Sequence, residues 1–199
     1  TTYVNQGALI LSGSTAAAGR IDVSASATLG GGGSGGIVTV ANAGILAPGN
    51  PDLLDNQLDL ASLSLAAGGI LKYELGAPLA NPLDTTPDFY SDHVALSGAL
   101  ILDGTLQITP VANAFTDFGS PVTGNLWLLM AHAPGGLTNN TLDVNTPANL
   151  SLLAAGLSYQ VDTDVDGFVY LAVVPEAQSG VLLAAGLLLL RMRRLFSRG

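Results

Sequence analysis

The chain has 199 residues, 48% of them hydrophobic but only 6% aromatic, with 25 glycines, no cysteine and 11% charged residues. Such a chain can build one sizeable core from Ala, Val, Leu and Ile, and it excludes disulfides, thiolate metal sites and a Cys nucleophile. All 15 acidic side chains lie before residue 178 together with only Arg20 and Lys72, which excludes nucleic-acid binding because phosphates would be repelled; the other four of the six basic residues fall in the last nine positions.

From the N-terminus a unit recurs, a Gly-bounded turn followed by two short alternating runs. It is read in GALIL from Gly7, GRIDVSASATLGGG from Gly19, GGIVTVANAGILAPGN from Gly35, LDLASLSLAAGGILKYELG from Leu58 and DHVALSGALILDGTLQITP from Asp92. Within units the period is two, so Leu9 and Leu11, then Leu71, Tyr73 and Leu75, Leu100 and Leu102, and Leu106 and Ile108 each point to one face. Strands with one apolar face bury it either by winding into a parallel solenoid or by folding into a sandwich. The narrow GGGGSGG corner at Gly30 to Gly36 favours the solenoid.

These runs and the LAPGN turn at Leu46 to Asn50 resemble the autotransporter-associated β-strand repeats of bacterial surface proteins, over roughly residues 4 to 111. The resemblance implies an all-β, right-handed parallel β-helix. Nothing after Leu102 reads as the alternating ten-residue strands of a membrane barrel.

The loop NPLDTTPDFYSD carries Asp84, Asp88 and Asp92, and reads as a solvated insertion rich in turn formers. Residues 112 to 173, with Phe115, Phe118, Trp127 and Met130, read as a β-rich C-terminal cap over the residue 1 to 111 repeat region. The cap ends in a hairpin around Asp166-Gly167. Asp162, Asp164 and Asp166 have the oxygen spacing of the first half of a Ca2+ loop, but position 12 is Val173 and the flanks read as strands, so a turn is favoured over a weak Ca2+ site. No other cofactor is expected. His93 and His132 each stand alone and read as structural, and no strand-elbow-helix sequence presents a serine for a Ser-His-Asp triad.

Residues 174 to 199 form a tail. A polar motif is followed by the apolar run Gly180, Val181, Leu182, Leu183, Ala184, Ala185, Gly186, Leu187, Leu188, Leu189 and Leu190, and then by the basic cluster Arg191, Arg193, Arg194 and Arg198. As a helix these 11 residues reach roughly 17 Å, short of the ~30 Å hydrocarbon core unless the arginines snorkel. The run has no polar face, unlike a buried amphipathic helix. The positive-inside rule keeps the arginines cytoplasmic and the acidic body outside.

Val174, Pro175, Glu176 and Ser179, followed by that run and the arginines, resemble the PEP-CTERM sorting tails of Gram-negative bacteria that make extracellular polysaccharide. Ala177 stands where the family has Pro, which bears on how efficiently the site is processed. The resemblance implies export, transient capture in the inner membrane by a C-terminal hydrophobic helix, and cleavage near Pro175-Glu176 by an exosortase-type membrane transpeptidase. The expected product is a non-enzymatic structural or adhesive protein of the cell surface or extracellular matrix, with extracellular polysaccharide as a partner. Two alternatives stand beside it: a carbohydrate-active β-helix enzyme, and an autotransporter-like passenger without its barrel. Thr1 is not Met and no leader precedes it, as expected for the C-terminal part of a longer chain.

Overall fold

The computed structural model describes residues 1–49, 57–79, 91–111, 118–163 and 167–176. Short runs of alternating aliphatic residues between glycine turns become strands. In chain order they are β1 (Thr2–Val4), β2 (Gly7–Ile10), β3 (Arg20–Val23), β4 (Ala27–Gly31), β5 (Ser34–Val40), β6 (Ile45–Pro48), β7 (Gln57–Leu65), β8 (Ile70–Leu75), β9 (His93–Leu96), β10 (Leu100–Leu102), β11 (Thr105–Pro110), β12 (Leu126–Ala131), β13 (Leu137–Asn140), β14 (Leu157–Asp162) and β15 (Phe168–Pro175). The single helix among the described residues is α1 (Pro147–Leu150), one turn whose N-cap Thr146 accepts from the Asn149 backbone N–H.

The strands form two sheets. One has five parallel strands in the order β2, β4, β6, β8, β11; the other has ten, running β1, β3, β5, β7, β9, β12, β15, β14, with β10 and β13 joined beside β7. Period-two alternation sends one side of each strand into the space between the sheets. In β8, Leu71, Tyr73 and Leu75 are buried while Lys72 and Glu74 are exposed.

Register turns these inward positions into ladders. In the five-stranded sheet Leu9, Leu29, Leu46, Leu71 and Leu106 stand directly beside one another across the strands. In the larger sheet Ile21, Val38, Leu63, Leu100 and Leu137 do the same. Burying each such side chain contributes about 1.5–3 kcal/mol, so a core poor in aromatics is held by many equal aliphatic contributions. The main aromatic inclusion is Trp127, stacked on Phe118 at 5.1 Å and edge-on to Tyr159 at 6.5 Å.

The expected right-handed parallel β-helix with a capping domain and a C-terminal hydrophobic helix is corrected. The larger sheet is mixed: β12 pairs in parallel with β9 but antiparallel with β15, and β14 and β15 are an antiparallel hairpin. That sheet also branches, because the nine-residue β7 pairs β9 along its first half and β10 along its second. The branch arises where Ser97-Gly98 breaks the pairing, and a Cβ at Gly98 would lie 2.7 Å from the Ala61 carbonyl oxygen. Among the described residues no barrel closes and no helix is apolar. The run Gly180 to Leu190, where that helix was expected, lies outside the described residues, and no described helix is long and apolar enough to cross a membrane.

Candidate functional site

The outward side of the larger sheet carries one continuous row. Ser34 of β5 pairs with Asp59 of β7, Asp59 with Ala95 of β9, Ala95 with Ala131 of β12, and Ala131 with Phe168 of β15. Each is the outward partner of core neighbours such as Leu58, Leu60, Val94 and Met130. Because the central positions are alanines, the sheet surface dips there, and an open groove of about 610 Å3 runs along it. Ala61 and Ala133 extend the floor, Ser97 and His132 add polar groups, and Pro134 and Phe168 add apolar ones.

At one side the row becomes a polar chain. Gln57 and His93 are cross-strand partners. The Gln57 amide donates to Asp59 Oδ1, and its Oε1 lies 2.8 Å from His93 Nε2. Since a carbonyl oxygen only accepts, His93 carries a proton on Nε2. The other histidine, His132, has Nδ1 2.8 Å from the Ala133 carbonyl, which places its proton on Nδ1.

Beneath this chain lies a buried acid. Asp92 donates its backbone N–H to the Glu74 carbonyl at 2.8 Å, and its Oδ2 accepts the Glu74 N–H at 2.7 Å. Burial pushes its carboxyl up to about 8; the Glu74 N–H opposes this and the Glu74 charge adds to it. Burial, then the Asp92 charge, also raises Tyr73, whose hydroxyl donates to the Leu129 carbonyl at 3.3 Å. Next in the chain, Ser91 Oγ accepts the Gly76 N–H, and the Gly76 carbonyl accepts from Trp127 Nε1 at 2.8 Å. These bonds tie the start of β9 to the end of β8. Asp92 read as a solvated loop residue; the structure puts it in the core, and only its proximity to the alternating run after His93 could have signalled this.

The residues singled out in the sequence are dispersed. Val174 and Pro175 pair with Ser158 and Leu157 at the end of β15, and Glu176 donates its N–H to the Gly156 carbonyl at 2.8 Å, so the motif starts on the exposed end of the sheet. Ser179, the apolar run and Arg191, Arg193, Arg194 and Arg198 lie outside the described residues, as do Asp84, Asp88, Asp164 and Asp166. Asp162 pairs with Tyr170 in the β14-β15 hairpin, and Gly167 takes the positive φ of 92° that its turn requires. Among the described residues no cluster of three His, Asp or Glu stands ready to hold a metal. Sequence reasoning missed the groove altogether, because its row draws single residues from five strands far apart in the chain.

No family model matches the chain, and no curated protein matches it.

Proposed function

We propose that this chain is an exported cell-surface or extracellular-matrix protein, structural and adhesive rather than enzymatic, whose C-terminal tail sorts it through the inner membrane. The observation that carries this reading is the junction at Pro175-Glu176. There the folded body reaches an exposed strand end, and the next residues are a polar motif, an uncharged aliphatic run and four arginines. Pro175 and Glu176 are solvent-exposed, and cutting after Pro175 removes no residue of the two sheets. The acidic body and the basic end have the charge order that leaves the body outside.

The groove on the larger sheet supports the adhesive part. Its small alanines admit a flat, extended ligand, while Ser34, Ser97 and Asp59 among its lining residues offer acceptors suited to hydroxyl groups. This reading assigns extracellular polysaccharide as the partner.

Three experiments test it. Fractionation of a host that makes extracellular polysaccharide should find the body outside the inner membrane; a cytoplasmic body would contradict export. Binding of the body to isolated matrix should fall when Ala131→Trp fills the groove, whereas unchanged binding would remove the groove from the account. Reducing-end release from polysaccharide that disappears on Asp59→Ala would overturn the non-enzymatic assignment.

A further inference from the structure

The groove on the larger sheet has a one-sided chemistry. Among the described residues that line it, Asp59 is the only carboxylate and none is Lys or Arg. The two cations of the body are placed elsewhere. Arg20 is paired with Asp22 at 2.7 Å, and Lys72 is exposed on β8, in the five-stranded sheet. The Arg20–Asp22 contact is the only ion pair among the described residues, so the Asp59 charge is not met by a cation there.

Asp59 is nevertheless held in place. The Gln57 amide donates to its Oδ1, and Gln57 is fixed in turn by His93, whose Nε2 donates to Gln57 Oε1 at 2.8 Å. This leaves Asp59 Oδ2 as an acceptor with no hydrogen-bond donor among the described residues. The remaining polar groups accept as well. His132 spends its proton on the Ala133 carbonyl through Nδ1, so its Nε2 keeps a lone pair, and the hydroxyls of Ser34 and Ser97 each offer two. A set of acceptors around one fixed negative charge complements a group that only donates and is positively charged. An ammonium donates three hydrogen bonds and accepts none. A uronate would bring further acceptors and a like charge to the same place, with no cation to meet it.

The apolar part of the groove favours a chain of rings. From Asp59 the row passes Ala95 and Ala131 to Phe168, three strand spacings or about 14 Å. Two methyl side chains followed by a half-buried phenyl ring give the C–H faces of linked sugar rings an apolar track, with the polar groups fixing orientation.

We propose that the groove binds a polysaccharide bearing free amino groups, a deacetylated hexosamine polymer, with one sugar ammonium on Asp59 and the neighbouring rings lying along Ala95 and Ala131 towards Phe168. This rests on the reading of the groove as a polysaccharide site and adds which sugar it takes.

Calorimetric titration of the full chain with a glucosamine tetramer, its N-acetylated counterpart and a galacturonate tetramer tests it. The glucosamine tetramer should bind at least about tenfold more tightly than the other two. Asp59→Asn keeps an oxygen for the Gln57 amide and should erase that preference. Glu74→Gln removes an equal charge from an exposed position on β8 and should leave the preference intact, which separates a site from general attraction to an acidic body. Equal binding of the three tetramers, lost in Ala131→Trp, would overturn the amine assignment while keeping the groove as a polysaccharide site. No binding of any tetramer, or binding indifferent to Ala131→Trp, would overturn both. A preference that survives Asp59→Asn, or a lysine tetrapeptide that binds as tightly as the glucosamine tetramer, would also overturn the proposal, the latter by giving the groove to a basic peptide.

Discussion

Asp92 makes the stability of this fold depend on pH in a direction opposite to that of most acidic groups. Its carboxyl is raised from the model-peptide value of 3.8 to about 8, chiefly by burial. Between those values the folded chain keeps a proton that the unfolded chain has released. Stability linked to this group is complete below about pH 4 and is lost as pH rises through about 8. Each pH unit in the window is worth about 1.4 kcal/mol, so the loss reaches a few kcal/mol, a large share of a domain's usual margin. Asp92→Asn keeps an oxygen to accept the Glu74 N–H and removes the titration. Urea unfolding should find the variant close to the parent at about pH 4 and more stable by a few kcal/mol at about pH 9, with the difference growing steadily between. A constant difference across that range, or a variant less stable at high pH, would refute the assignment of Asp92 as a buried, protonated acid.

Two further changes probe how the sheets are held. Leu71→Ala removes the central member of the ladder between Leu46 and Leu106, all fully buried, and should cost about 2–5 kcal/mol in urea unfolding. Asn149→Ala leaves the carbonyls of Leu106 and Val144 and the N–H of Ile108 without their partner, and should cost about 2–4 kcal/mol and speed hydrogen exchange at Ile108.

The inward faces were legible because burial selects residue type at every second position. Leu9, Leu71 and Leu106, each expected on a one-sided apolar face, stand in the in-register ladder of the five-stranded sheet with Leu29 and Leu46. Direction and branching of strands were not legible. Period two is the same in parallel and antiparallel pairs, and the divided pairing of β7 depends on a single close approach at Gly98. The outer face escaped for a related reason: solvent tolerates many residue types, so the alanines at 95 and 131 carry no pattern of their own. Asn145 and Asn149 cap two edges, yet asparagine in a loop reads locally as a turn former. The resemblance carried by Val174, Pro175, Glu176 and Ser179, by contrast, is local, and was read without the fold.

The central claim is that the tail directs export and is then removed. Intact mass of the protein recovered from a host with the sorting machinery, compared with a variant carrying Pro175→Ala and Glu176→Ala, tests it most directly. The account predicts a body ending near residue 175 in the parent and a full-length chain retained at the inner membrane in the variant. An intact chain, cytoplasmic and indifferent to both substitutions, would contradict it.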